Sequence, residues 1–94
     1  MSSSRLERIR QCIRLRRYDL TLHALEEMAE DLLDLADLEH AILNGEISHK
    51  DPDDPRGTRY VIIGRASDGR TPVGIVGRFV RDDWFLVITV YEVT

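Results

Sequence analysis

Several residue types are scarce in this chain of 94 residues, and each scarcity narrows what the protein can be. Cys12 is the single cysteine, so no disulfide can form within the chain. No apolar stretch approaches the roughly 18 residues of a membrane span, and residues 1–5 lack the apolar core of a signal peptide. These absences predict a cytoplasmic protein without a membrane partner.

Lysine is also scarce, because 12 of the 13 basic residues are arginine. Arginine binds phosphate through paired hydrogen bonds, which suits RNA, although a GC-rich genome explains the same bias equally well. The net charge of −4 is unevenly spread, with +5 over residues 1–18, −11 over residues 19–54 and +2 over residues 55–94. The basic segments are candidate surfaces for phosphate or an acidic partner, whereas the acidic middle repels nucleic acid.

The order of the hydrophobic patterns predicts one α+β domain over residues 1–94, with helices before an antiparallel sheet. Apolar residues at helical spacing predict a first helix at about 5–16 and a helical pair over 21–45. Thr21 and Asp34 are suitable N-caps for this pair. Gly45 is expected to end it in the left-handed conformation.

Residues 46–94 predict an antiparallel meander of three to four strands packed against the helices. Residues 46–50 are expected to form a short edge strand, and Asp68-Gly69 is a strong hairpin signal. The last strand, at 84–93, is apolar on both faces, which predicts a central strand covered on both sides.

His23 is the first candidate for chemistry, because it falls in the opening turn of a predicted helix. The positive helix end disfavours the imidazolium, which leaves a neutral ring able to act as a general base or acid near phosphate. The alternative is a histidine that hydrogen-bonds a loop carbonyl. With Glu27 one turn later, a surface pair is expected rather than half a metal site. Since His40 and His49 fit no metal-binding spacing, neither a metal nor a cofactor is expected.

Arginines and a tyrosine on the predicted meander are candidate RNA ligands. Arg59 and Arg65 differ by an even number of positions in the sequence, so they share one side of a strand and are suited to hold a phosphate and stabilise its transition-state charge. Tyr91 is suited to stacking on a base or donating its hydroxyl to phosphate, although a tyrosine at a sheet margin is more often a core residue with a solvated hydroxyl. The remaining RNA-binding candidates are Arg56, Arg70 and Arg78. The alternative is a solvated sheet edge whose arginines pair with Asp68, Asp82 or Asp83.

The run from Tyr18 to Tyr91 resembles a bacterial family of domains of unknown function, family 4258. The resemblance rests on Thr21-Leu22-His23-Ala24, on the run from Asp37 to Ile47, on Asp54-Pro55-Arg56-Gly57, and on Gly64-Arg65-Ala66-Ser67-Asp68-Gly69-Arg70. Family members tend to carry arginines and a glycine after the histidine. This chain has Glu27, Asp31 and Leu32 at those positions, which makes the region more acidic.

The family is in turn distantly similar to small toxins of the RelE and MqsR types, which pack helices on an antiparallel sheet. The resemblance implies a RelE-like fold and a toxin that works beside a small zinc-finger antitoxin. It also implies a metal-independent endoribonuclease of messenger RNA, in which His23 handles a proton, Arg59 and Arg65 hold the phosphate and Tyr91 orients or stacks. The alternative is a non-catalytic, toxin-like domain that binds a protein partner or associates with itself as a homodimer.

Overall fold

Three helices and five strands form in the part of the chain that the computed structural model describes, residues 4–81 and 83–94. The helices are α1 (Ser4–Arg14), α2 (Leu22–Glu30) and α3 (Leu35–Asn44). The strands are β1 (Tyr18–Leu20), β2 (Glu46–Asp51), β3 (Arg59–Arg65), β4 (Pro72–Arg81) and β5 (Trp84–Glu92). The α+β class and the order of helices before the meander are confirmed.

The sheet differs from the prediction in its strand count and in the direction of one strand. Its order is β1-β5-β4-β3-β2, and β1 pairs with β5 in parallel while the other pairs are antiparallel. The four antiparallel strands β2 to β5 agree with the meander predicted over residues 46–94, whereas the fifth, parallel strand β1 was not predicted. The missed strand spans only Tyr18–Leu20, too short to show the alternation that identifies a strand in a sequence.

The helix starts are as predicted, but the reason for a glycine after α3 is different. Thr21 accepts a hydrogen bond from the Ala24 N–H, and Asp34 and Asp37 form a capping box at the start of α3. Gly45 has φ −99°, so its predicted left-handed conformation is wrong. The position needs glycine because a Cβ there would collide with the carbonyls of Ala41 and Ile63.

The helices cover one face of the sheet and bury one apolar core. Its largest side chains lie on α1, α3 and the three long strands, and fully burying each of them contributes about 1.5–3 kcal/mol: Leu6, Ile9, Leu38, Ile42, Ile62, Ile75 and Phe85. On the other face Val61, Ile63 and Val76 are only half-buried, and no described element packs on them. The prediction of a last strand covered on both sides is therefore wrong, although β5 does lie inside the sheet. We call this uncovered side the open face.

The edge of the sheet beside α2 is closed by two acids. β1 covers only the first part of β5, and beyond it the N–H groups of Val90 and Glu92 point toward α2. Glu27 accepts from Val90 N at 3.2 Å, and Asp31 accepts from Glu92 N at 3.0 Å. The two acids therefore satisfy backbone donors that an open strand edge would leave unpaired. No helix among the described residues is long and apolar enough to cross a membrane.

Candidate functional site: a cleft beside His40 and Arg65

A cleft of about 560 Å³ lies where α3 ends, β2 begins and β3 turns toward β4. Its ionisable and amide side chains are those of His40, Asn44, Glu46 and Arg65. The cleft therefore combines an imidazole, a carboxylate and a guanidinium, which are groups that can move protons and bind phosphate. We call it the His40–Arg65 cleft.

Close backbone packing shapes the floor of this cleft. A Cβ on Gly64 would collide with the Ala41 carbonyl, so only glycine lets β3 lie directly against the last turn of α3. Arg10 of α1 donates a hydrogen bond to the carbonyl of Gly45 at 2.8 Å. This bond satisfies a backbone acceptor just beyond the end of α3. The floor of the cleft is therefore formed where α1, α3 and β3 contact one another.

The ring of His40 is held in one orientation by the strand beneath it. Its Nδ1 lies 2.8 Å from the backbone oxygen of Arg65. A carbonyl oxygen can only accept, so Nδ1 carries the proton and, in the neutral ring, Nε2 carries the lone pair. The Asn44 side chain donates to the backbone oxygen of the same histidine at 3.1 Å. His40 is therefore set up to accept a proton at Nε2.

Arg65 is exposed at the mouth of the cleft and only weakly tied. Its Nη1 lies 3.4 Å from the backbone oxygen of Gly69, and among the described residues it forms no ion pair. Asp68, the nearby acid, instead accepts hydrogen bonds from Thr71 and from the Arg70 N–H. These hydrogen bonds lower the pKa of Asp68 to about 2, and the bond from the Thr71 hydroxyl makes the largest contribution. The guanidinium of Arg65 is therefore available to an anion.

Tyr91 and Arg78 lie on the open face beyond the cleft. Tyr91 pairs with Gly74, which in turn pairs with Ile63, a residue that lines the cleft. The Tyr91 ring lies over Gly74, where a Cβ would collide with it. Arg78 pairs with Leu86 on β5 and forms no ion pair or side-chain hydrogen bond in the described part of the chain. The open face thus extends the basic, half-apolar surface away from Arg65.

Two of the predicted arginines are neutralised by the loop before β3. Arg59 Nη2 donates to Asp51 at 3.1 Å, and its Nε lies 3.2 Å from Asp54 Oδ2. Arg56 contacts the same Asp54 through its backbone N–H and its Nε. The Arg59 guanidinium holds the pKa of Asp51 below its usual value, and the Arg56 N–H does so for Asp54.

Arg59 and Arg65 do share one face of β3, as alternation predicted, since the residues between them are alternately buried and half-buried. They nevertheless lie six residue steps, or about 20 Å, apart along the strand, so they cannot clamp one phosphate. The sequence also suggested Asp68, Asp82 or Asp83 as partners of these arginines, but Arg59 pairs with Asp51 and Asp54 instead. Asp82 lies outside the described residues.

His23 lies away from the cleft, at the edge of the sheet beside β5. Its Nε2 is 3.1 Å from Glu27 Oε1, with 64 % of the side chain exposed, so the expected surface pair is confirmed. The same carboxylate oxygen accepts from Val90 N. The structure therefore does not bring His23, Arg59, Arg65 and Tyr91 together: Arg65 lies at the cleft, Tyr91 beside it, and the other two at separate places.

Sequence reasoning missed His40, which had been considered only as a metal ligand. One signal was present, since His40 lies four residues before Asn44 and five before Gly45, in the last turns of a predicted helix that ends beside a strand. Tyr60 lies in the core, at 4 % exposure. Cys12 is also buried, and burial is the main cause that raises the pKa of its thiol.

Comparison with protein families identifies a match for most of the chain. The model of a family described as a domain of unknown function (DUF4258) matches residues 20–92, a span that includes α2, α3 and the whole of β2 to β5. No curated protein and no solved structure matches the chain. The likeness to RelE-type and MqsR-type toxins therefore stays a resemblance.

Proposed function

The chain belongs to the DUF4258 family of domains of unknown function, and we propose that it is a metal-independent endoribonuclease whose reaction takes place in the His40–Arg65 cleft. One observation carries this proposal. The Arg65 backbone oxygen fixes the proton on His40 Nδ1 while the Arg65 side chain stands free at the same cleft. A base and a phosphate-binding cation are thereby held by one residue of the strand.

The reaction follows from the groups present. His40 Nε2 accepts the proton of the RNA 2′-hydroxyl, and the oxygen attacks the adjacent phosphorus. The guanidinium of Arg65 stabilises the charge that develops on the phosphoryl oxygens. The bond from phosphorus to the 5′ oxygen breaks, and that oxygen takes a proton from water. The products are a 2′,3′-cyclic phosphate and a 5′-hydroxyl.

The open face supplies the binding surface for the rest of the RNA in this proposal. Arg78 provides a second phosphate contact, and the Tyr91 ring provides a surface on which a base can stack. Arg70, at the exposed hairpin tip, adds a peripheral contact. Arg56 and Arg59 contribute little, since Asp51 and Asp54 neutralise them. We place the general base at His40 rather than at His23, because His40 lies in the same cleft as the Arg65 guanidinium, whereas Glu27 holds the His23 ring away from that cleft.

A cleavage assay with three histidine variants tests the proposal. The purified chain is incubated with single-stranded RNA in the presence of a chelator. We expect His40→Gln to lower the cleavage rate at least about 100-fold, the scale of a lost general base. Gln keeps a side-chain donor for the Arg65 carbonyl, so the fold is retained. His23→Gln and His49→Gln are matched controls that leave the rate unchanged, and the same oligonucleotide made of DNA stays intact because it lacks the 2′-hydroxyl.

Two results would contradict the ribonuclease proposal. One is cleavage by His40→Gln at the wild-type rate, and the other is cleavage that stops when divalent metal is removed. Growth arrest on induced expression of the wild type, but not of His40→Gln, supports the further proposal that the enzyme acts as a toxin with a cognate antitoxin. The alternative, a self-associating module without catalysis, is favoured by a different surface, described next.

A further inference from the structure

An apolar stripe lies on the outer side of α2 and at the start of α3. Ala24 and Met28 face the core, whereas the leucines of the stripe lie on other sides of the helix and are exposed: Leu22, Leu25, Leu32 and Leu35. In the described part of the chain nothing covers this surface. We call it the leucine stripe. Four exposed leucines within fourteen residues form a patch of the kind that marks protein contacts.

Leu32 is unfavourable in two ways, because its backbone is in a strained conformation and its apolar side chain is exposed to water. Its φ is +57°, in the left-handed region, and 90 % of its surface is exposed. It follows the C-cap of α2, where the Leu32 N–H bonds to the Ala29 carbonyl and the Leu33 N–H bonds to the Met28 carbonyl. This is the helix ending that glycine normally occupies without strain. Neither the fold of the monomer nor its core gains from a leucine here, which points to a contact made outside the monomer.

The charges around the stripe restrict what can dock on it. Glu26, Glu30 and Asp34 are exposed beside the leucines, and α2 contains no basic residue except His23. Two leucine stripes facing each other would bring these acids together, so packing of one stripe on another is disfavoured. A fitting partner presents an apolar side chain surrounded by positive charge.

The same chain presents such a surface where α1 ends. Leu15 is exposed, and Arg14 and Arg17 flank it without an ion pair to any described residue. Beside Leu15 is a groove of about 260 Å³, lined also by Gln11 and Arg17, with Asp83 as the one acid among its described residues. The end of α1 thus offers the apolar contact and the positive charge that the leucine stripe lacks.

We propose that the chain forms a homodimer in which the α1 end of each copy docks on the leucine stripe of the other. Two identical contacts of this kind close a two-fold symmetric pair. Apolar contacts with Leu32 and Leu25 provide the buried surface, while Arg14 and Arg17 pair with Glu26 and Glu30. The association therefore weakens as salt screens these charges.

Leu32→Gly tests the proposal because it has opposite effects on the monomer and on the dimer. We expect the dimer dissociation constant, from sedimentation equilibrium of the full chain, to rise at least about tenfold. Thermal unfolding at concentrations where the chain is monomeric should shift upward by about 4 °C, because the left-handed strain is relieved. Val80→Ser removes another exposed apolar side chain outside the stripe and leaves the dissociation constant unchanged.

Charge reversal tests the choice of partner surface. The double variant Glu26→Arg with Glu30→Arg and the double variant Arg14→Glu with Arg17→Glu should each be monomeric. An equimolar mixture of the two should restore the dimer, because every contact then joins opposite charges. A wild-type chain that stays monomeric at all accessible concentrations overturns the proposal, as does a dimer that survives reversal at Arg14 and Arg17.

Discussion

The two ends of β3 carry the same residue on the same face of the sheet and differ in what surrounds it. At the first end Arg59 is held by Asp51 and by Asp54, whose side chain is only 5 % exposed. At the other end Arg65 has one long contact with a backbone oxygen and lies at the mouth of the His40–Arg65 cleft. One arginine therefore fixes a loop, and the other is available to a ligand.

The difference lies in the segments that adjoin the strand. The loop before β3 contains three aspartates and two prolines within residues 51–55, and the acids fold back on the arginine that follows them. After β3 the single acid, Asp68, is used by its own turn, and a helix end packs on Gly64 instead. Charge pairing stabilises the first end, whereas close backbone packing stabilises the second.

The largest effect is expected at the second end, from Gly64→Ala. The new methyl group would collide with the Ala41 carbonyl, which belongs to helix backbone and cannot rotate away. We expect the free energy of unfolding in urea to fall by about 3 kcal/mol. Gly69→Ala is the matched control, since it adds the same methyl group in open space at φ +75° and costs only about 1 kcal/mol of conformational strain. Equal losses in the two variants would mean that α3 and β3 are not in tight contact.

A smaller effect separates the two arginines themselves. Arg59→Met removes two ion pairs and should lower the free energy of unfolding by about 1 kcal/mol, while leaving RNA binding unchanged. Arg65→Met should change stability by less than about 0.5 kcal/mol and should weaken RNA binding, with a shallower salt dependence because one phosphate contact is lost. Urea unfolding and binding titrations across a salt series measure both. If both substitutions lowered stability, or both weakened RNA binding, the proposed difference between Arg59 and Arg65 would be wrong.

Sequence patterns identified most of the fold because its elements are long enough to show a period. The N-caps at Thr21 and Asp34 and the turn at Asp68-Gly69 depend on local chemistry, which a sequence shows directly. The strand Tyr18–Leu20 was not predicted, because three residues are too few to show alternation. It forms only by pairing with β5, more than sixty residues away.

The candidate site was harder to predict, because each error concerned a contact between distant parts of the chain. Alternation placed Arg59 and Arg65 on one face but gave no information on which of them an acid would neutralise. The sequence shows Glu27 and Asp31 only as added negative charge, whereas in the structure their carboxylates accept hydrogen bonds from the backbone N–H groups of β5. His40 is a candidate base only because its ring contacts the Arg65 carbonyl, which lies 25 residues later in the chain.

The smallest effect is a difference in acid sensitivity between the two ends of β3. Hydrogen bonds from the Arg59 guanidinium and the Arg56 N–H hold the pKa values of Asp51 and Asp54 below their usual range. A carboxyl whose pKa is lower in the folded state contributes stability above its unfolded pKa and loses it as the pH falls through the folded pKa. We therefore expect the urea midpoint of the wild type to fall as the pH drops below about 4, the usual pKa of an aspartate in an unfolded chain.

In Arg59→Met the lowered pKa of Asp51 loses its main cause, so this acid-dependent loss of stability should shrink. In Arg65→Met it should match the wild type, since no described acid pairs with that guanidinium. Urea unfolding at several pH values in low salt measures the slopes, because added salt would screen the partly exposed pair of Asp51 and Arg59. If the Arg65 variant also loses acid sensitivity, an acid pairs with Arg65 after all, and the free guanidinium required by the proposed ribonuclease site is not there.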